Sequence, residues 1–183
     1  MFEYSINDKL TLKLIDYQDT GELFQLINSS RSHLDEWGNW AKEIQNEADT
    51  ERLIKKYLLH FAGKKGMHFL IKYEGKPVGS ISLKQLSWDV NSGEIGYWLS
   101  PDFVGKGIVT QAAEAILEYG FTYINLHKIE IWAAEKNEKS KNVPERLGFV
   151  KEGVRRDNEF LHGNYFTMAI YGLLKSEWEE KQT

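Results

Sequence analysis

Gly93-Glu94-Ile95-Gly96-Tyr97-Trp98-Leu99-Ser100-Pro101-Asp102-Phe103-Val104-Gly105-Lys106-Gly107-Ile108 is the stretch that decides the fold. It reads as a strand over residues 93–100, stopped by Pro101, then a loop carrying two glycines, then a helix that begins at once. A loop of this kind aims several backbone N–H groups, aided by the helix dipole, at one place where an anion can sit. Glycines let that backbone approach the anion with no side chain in the way. Taken alone, two glycines beside a helix start are ordinary turn chemistry. The spacing is neither the phosphate loop that needs Gly-Lys-Ser/Thr nor the G-x-G-x-x-G of dinucleotide-binding folds. Lys106 would add a point charge or simply be solvated.

The flanking sequence supplies the rest of the sheet and its helices. Residues 10–14, Leu-Thr-Leu-Lys-Leu, alternate like a half-buried strand. Leu23, Phe24, Leu26 and Ile27 suggest a short helix, and residues 31–40 are irregular. Asp49 is read as the N-cap of a helix in which Leu53/Ile54, Tyr57/Leu58 and Phe61 recur at helical spacing. Strands over 68–73 and 78–86 flank Glu74-Gly75-Lys76-Pro77, a tight-turn sequence. After the glycine loop, Ile108, Ala112, Ala115/Ile116 and Tyr119 share one helical face, with Gly120 read as its C-cap. A strand over 128–133, a helix over 138–147 and strands over 149–156 and 165–173, joined around His162-Gly163-Asn164, complete the pattern. The order β-α-α-β-β-β-α-β-α-β-β predicts an α+β (mixed α/β) fold, a mixed sheet with helices on both faces.

Composition bounds the function. The chain has 183 residues, 42% hydrophobic and 13% aromatic, enough for one domain with a sizeable core over residues 1–183. No linker or repeat suggests a boundary. Lys plus Arg number 23 against 27 Asp plus Glu, a net charge of −4, which lacks the electrostatic footprint of a general nucleic-acid binder. There is no cysteine, so a disulfide framework, a thiolate metal site and a covalent intermediate on a protein thiol are all excluded. The five histidines, at 33, 60, 68, 127 and 162, show no metal-ligand spacing, and no metal is expected. His68 and His127 read as core or edge residues. Nothing approaches a membrane span, and the Met1-Phe2-Glu3-Tyr4 start does not read as a signal peptide. A cytoplasmic protein without nucleic-acid or membrane partners is expected, with self-association left open.

Several motifs now line up in order: Glu94 to Leu99, Pro101 and Gly105-Lys106-Gly107-Ile108; Leu126-His127-Lys128-Ile129-Glu130; Asn137-Glu138-Lys139-Ser140; Arg146-Leu147-Gly148-Phe149; Glu152-Gly153; and Gly163. Together they resemble the GNAT N-acetyltransferases, most closely the RimJ/RimL-type ribosomal-protein N-terminal acetyltransferases, over roughly residues 8–178. The resemblance implies a sheet splayed between strands 93–100 and 128–134 to receive the pantetheine arm of acetyl-CoA. It implies a main-chain N–H near Trp98 or Leu99 that polarises the acetyl carbonyl. It places the pyrophosphate on Gly105, Lys106, Gly107, Ile108, Val109 and Thr110, the pantetheine at Asn137, and Ser140 near the thiol. The sequence departs from the family's Q/R-x-x-G-x-G/A pattern, with Val104 for the usual Gln or Arg and Val109 for the small last residue. Pro144, inside the helix after Asn137, is expected to kink or shorten it.

Without a thiol nucleophile, direct attack of an amine on the thioester in a ternary complex is the economical route. It needs a neutral amine, a stabilised oxyanion and a proton for the departing thiolate. Glu159, in an E-x-x-x-G stretch matching the resembling family, is the candidate base; read plainly, it is an exposed strand-end glutamate. Ser140 is the candidate proton donor; read plainly, it is a helix-starting serine. Tyr97 is a reserve acid. Trp37 and Trp40, with Arg31 and His33 near them, could wall a substrate cleft or simply staple two helices. Glu94, with other acids, could draw a cationic substrate or lie idle on the surface. The acceptor expected is a protein N-terminus, plausibly ribosomal. A polyamine or aminoglycoside, or a catalytically silent acyl-CoA sensor, are the alternatives.

Overall fold

In a computed structural model, residues 3–182 are described; Met1 and Phe2, part of the start considered above, lie outside them. Two compact units alternate along the chain: residues up to Ser82 with Tyr97–Ala112, and Leu83–Gly96 with residues from Ala113 onward.

The first unit opens with strands β1 (Glu3–Ser5) and β2 (Leu10–Leu14), followed by helices α1 (Thr20–Ser29), α2 (Arg31–Asp35) and α3 (Glu47–Ala62). Strand β3 (Met67–Tyr73) and the first half of β4 (Lys76–Ser87) come next. The end of β5 (Ser92–Leu99) and the start of α4 (Ile108–Glu118) also belong here. Strand neighbours run β1-β2-β3-β4-β5. β2 lies antiparallel to β1 and β3, from Leu10↔Tyr73 to Leu14↔Phe69.

Helical spacing is what builds this unit's core. Leu23 and Ile27 on α1, Leu34 on α2 and Ile54 on α3 close over Ile15, Ala41, Ile44 and Leu70. Each fully buried aliphatic side chain contributes about 1.5–3 kcal/mol. Lys13 breaks the apolar pattern of β2 and is nevertheless buried, its ammonium 2.5 Å from Asp19. Burial opposes that charge, but the Asp19 and Asp16 carboxylates outweigh it and hold Lys13 above the usual lysine range. The N-cap of α3 is Asn46, not Asp49. Asn46 accepts the Asp49 N–H at 3.0 Å, while the Asp49 carboxylate reaches back to the Gln45 N–H at 2.8 Å.

The second unit holds the remaining parts of β4, β5 and α4, then β6 (Lys128–Ala134), α5 (Glu138–Leu147), β7 (Val150–Leu161), β8 (Asn164–Leu174) and α6 (Lys175–Gln182). Here the neighbours run β4-β5-β6-β8-β7. β6 and β7 both lie antiparallel to β8, and β5 runs parallel to β6. The expected mixed sheet is found, mostly antiparallel, with six α-helices among the described residues. His162 and Gly163 close the β7–β8 hairpin, both with positive φ (50° and 76°), the backbone of a two-residue turn whose twist matches its strands. Gly120 is not a C-cap. It lies buried in a π-turn, Tyr119–Tyr123, where a Cβ would come within 2.7 Å of Ile129 Cδ1. Close packing, rather than helix termination, requires a glycine there.

Three elements were not read from the sequence. β1 has three residues and no alternation, and α2 is a single turn. α6 is almost wholly polar; its Trp178 ring lies 5.4 Å from that of Phe121, and Lys181 Nζ donates to the Gly148 carbonyl at 2.7 Å. Among the described residues no helix is long and apolar enough to cross a membrane.

One close approach fixes the path of β5 beside β4. A Cβ at Gly79 would meet the Trp98 carbonyl oxygen at 2.3 Å and the Leu99 Cα at 3.0 Å, both backbone atoms that cannot swing aside. Gly79→Ala is therefore expected to destabilise by about 1–3 kcal/mol. Thermal unfolding followed by circular dichroism should show a loss of about 2–12 °C; an unchanged melting temperature would contradict the packing described.

Candidate active site

The parallel ladder between β5 and β6 is short. It runs Ser92↔Lys128, Gly93↔Ile129, Glu94↔Glu130 and Ile95↔Ile131, and its register ends there. β6 continues through Trp132, Ala133 and Ala134, paired with Ile170, Ala169 and Met168 of β8. β5 continues to Leu99.

In the first unit, β5 gives way to a turn at Pro101–Phe103, and Val104 is extended at φ −65°, ψ 144°. Gly105 (φ +84°) and Gly107 (φ +72°) both take the left-handed backbone that β-carbons disfavour. α4 starts immediately after, with Ile108 buried as its anchor. The N–H groups of a helix's first turn have no acceptor within the helix. The loop with Ile108, Val109 and Thr110 thus has the strand–loop–helix geometry that the spacing predicts. Lys106 does not project freely: its ammonium sits 4.6 Å over the Phe103 ring, and that ring meets Tyr73 edge-on at 6.0 Å.

The same unit places the aromatic candidates. Trp40 and Trp98 pair at 5.8 Å with their planes tilted by 46°, and both pack against the core cluster. Arg31 acts as a strut. Its guanidinium donates to the Ala41 and Ile44 carbonyls, each at 2.6 Å, and so holds the turn Trp40–Glu43 against α2. This contact supports the Trp40 turn, so the guanidinium is already engaged and Arg31 is not an open anion hook. His33 and Trp37, on and just after α2, are half-buried, and the Trp37 N–H returns to the Leu34 carbonyl at 3.2 Å.

In the second unit, Asn137 caps α5: its Oδ1 accepts the Ser140 N–H at 3.1 Å. The Asn137 carboxamide NH2 is then the donor it can offer a ligand. Ser140 is half-buried in the first turn, at the positive end of the α5 dipole. Pro144 neither breaks nor shortens α5, which runs to Leu147 before Gly148 closes it in the left-handed conformation (φ +75°). Buried Pro144 has no N–H to offer the Ser140 carbonyl, and packing of the following turn offsets that loss. Part of that packing is Tyr171, whose hydroxyl donates to Glu145 at 2.9 Å. Burial first, then the Glu145 carboxylate, push the Tyr171 hydroxyl above its ordinary range.

Glu159 is half-buried opposite Phe166, directly after a bulge in β7 that begins beyond Arg155 and includes Asp157 at φ +51°. Bulges re-aim the side chains that follow them, and no alternation in the sequence betrays this one. Glu94 is ion-paired to Lys84 at 2.8 Å, which weighs against its role as a lure for cations. Lys128 lies between Glu130 (2.8 Å) and Glu152 (2.6 Å). Burial lowers its basicity, but the two carboxylates overcome this and hold it above the usual lysine range. His68 is buried and stacks on Tyr57 at 3.7 Å, whereas His127 is exposed. Among the described residues no cluster of three or more His, Asp or Glu side chains could hold a metal ion.

The profile of the acetyltransferase (GNAT) domain matches residues 9–150. A Bacillus subtilis (strain 168) protein named "Putative ribosomal N-acetyltransferase YdaF" is 37% identical over 181 residues, covering 98% of each chain. The Escherichia coli (strain K12) "Ribosomal-protein-serine acetyltransferase" is 30% identical over 167 residues, covering 91% of this chain and 93% of that one. Among solved structures, that of the microcin C7 self-immunity acetyltransferase MccE in complex with acetyl-CoA and AMP superposes with a TM-score of 0.87. It is 30% identical and covers 92% of this chain and 94% of that one.

Proposed function

The chain belongs to the GNAT acetyltransferase family, and from that premise we propose that it moves the acetyl group of acetyl-CoA onto the N-terminal α-amine of a protein, foremost a ribosomal protein, within a single domain spanning residues 1–183. The observation that carries this reading is end-to-end similarity to two relatives whose names specify ribosomal acetylation. The strand–loop–helix junction at residues 101–110 and the short β5–β6 ladder support it.

In this account the loop N–H groups from Gly105 to Thr110 receive the pyrophosphate and the Asn137 carboxamide donates to the pantetheine. A main-chain N–H at Trp98 or Leu99 binds the acetyl carbonyl oxygen. The neutral amine attacks the thioester carbon. As the tetrahedral intermediate collapses, the C–S bond breaks, the amine gives up its proton through water to Glu159, and Ser140 protonates the departing thiolate while regaining a proton from water. The Trp37–Trp40 segment, propped by Arg31 and flanked by His33, receives the acceptor.

An α-amine suits so modest a base. Its pKa of about 7.7–8.0, against about 10.4 for lysine, leaves a sizeable fraction neutral near pH 7. Glu159→Gln is expected to slow turnover by about 10²-fold at neutral pH, with partial recovery at higher pH as the amine loses its proton unaided. A pH–rate profile parallel to that of the wild type would remove Glu159 from the mechanism. The reading as a whole is tested by following CoA release from acetyl-CoA across N-terminal peptides, polyamines and aminoglycosides. Turnover with peptides is expected; turnover confined to the small amines would reassign the acceptor, and none with any amine would favour a silent acyl-CoA sensor.

A further inference from the structure

The glycine loop is tied to the turn between β1 and β2 by a relay of side-chain hydrogen bonds. Asn7 Nδ2 donates to Gln111 Oε1 at 2.9 Å, across 104 positions of sequence. Gln111 Nε2 donates in turn to the Gly107 carbonyl at 3.4 Å, which also accepts the Gln111 backbone N–H at 3.1 Å. Asn7 is itself fixed, because its Oδ1 accepts the N–H groups of Lys9 (2.9 Å) and Leu10 (3.0 Å). The oxygen and nitrogen ends of both carboxamides are engaged, so neither amide can turn over without losing a bond. The loop is also held by Lys106, whose ammonium lies over the Phe103 ring, which meets Tyr73 edge-on. Next to Tyr73, Glu74 is ion-paired to Lys9 of the β1–β2 turn at 2.8 Å.

A solvent-exposed amide–amide bond adds little to the stability of the whole fold. Its effect is local. Gly105 and Gly107 make residues 105–107 conformationally soft, and a soft loop loses affinity to the entropy of ordering on binding. Fixing the Gly107 carbonyl from one side sets the direction of the peptide plane that carries the next N–H. We infer that Asn7 and Gln111 are positioning residues that hold residues 105–107 ready for the pyrophosphate of acetyl-CoA. This inference rests on the cofactor reading proposed above.

Two neutral substitutions at opposite ends of the bond test it. Gln111→Leu keeps size and helix propensity. Asn7→Ser keeps an oxygen able to close the β1–β2 turn but is too short to reach Gln111. Calorimetric titration with acetyl-CoA is expected to show each variant binding about three- to tenfold more weakly. The KM for acetyl-CoA should rise equally, with kcat at saturation within about twofold. The double variant should lose no more than either single one, the mark of a shared contact. Unchanged affinity and KM in either folded variant would overturn the inference, as would a loss confined to kcat. If one variant fails to fold, the other decides alone. A wild-type protein that does not bind acetyl-CoA at all would instead retract the cofactor reading itself.

Discussion

Ser140→Ala is expected to lower kcat for acetyl transfer by about 10²–10⁴-fold, the range for one proton-transfer group. The KM for acetyl-CoA should stay within a few-fold of the wild type. The asymmetry follows from when the hydroxyl acts: a thiolate needs its proton as the C–S bond breaks, so the stabilisation is realised in the transition state and not in the bound ground state. Local structure favours that role. The Ser140 N–H is held by Asn137 Oδ1, which fixes the residue in the first turn of α5. There the helix dipole stabilises negative charge developing on the hydroxyl oxygen. Steady-state kinetics with varied acetyl-CoA makes the measurement. If kcat is unchanged and only KM rises, Ser140 merely positions the cofactor, and the half-buried Tyr97 becomes the acid to examine.

Gly107→Val is expected to abolish measurable acetyl-CoA binding in calorimetric titration while the far-ultraviolet circular dichroism of the fold persists. Space alone is not the reason: the nearest neighbour of a Cβ there, Gln111 Nε2, is 3.7 Å away. The backbone is. At φ +72° a β-branched residue is strained by about 1–3 kcal/mol, and the loop escapes by turning its peptide planes. Turned planes no longer present their N–H groups to one anion, and the isopropyl group stands where the phosphate approaches. A folded Gly107→Val protein that binds acetyl-CoA as tightly as the wild type would remove residues 105–110 from the cofactor site.

These two residues also mark how far the sequence could be read. Alternation marked residues 10–14, which are β2, and the helix read over residues 138–147 is α5. Gly105 and Gly107 were legible because a proline-stopped strand, two glycines and an apolar helical face follow one another in the chain. Asn7 and Gln111 were not. Their link spans 104 positions, and each alone reads as an ordinary polar surface residue. The bulge before Glu159 was hidden for a similar reason, since two extra residues in an exposed, highly charged strand disturb no visible alternation. Pro144 misled because its local rule, loss of an N–H, was offset by packing that only tertiary structure reveals. Arg31 was read as facing a substrate, and the carbonyls it holds lie ten and thirteen residues ahead.

The account stands or falls on which nitrogen is acetylated. The decisive measurement is tandem mass spectrometry of a peptide with a free N-terminus and an internal lysine, after incubation with the protein and acetyl-CoA. The account predicts the acetyl group on the α-amine, and no turnover of the same peptide once that amine is blocked. Acetyl found on the lysine side chain, or robust activity only with spermidine-like amines, would contradict it.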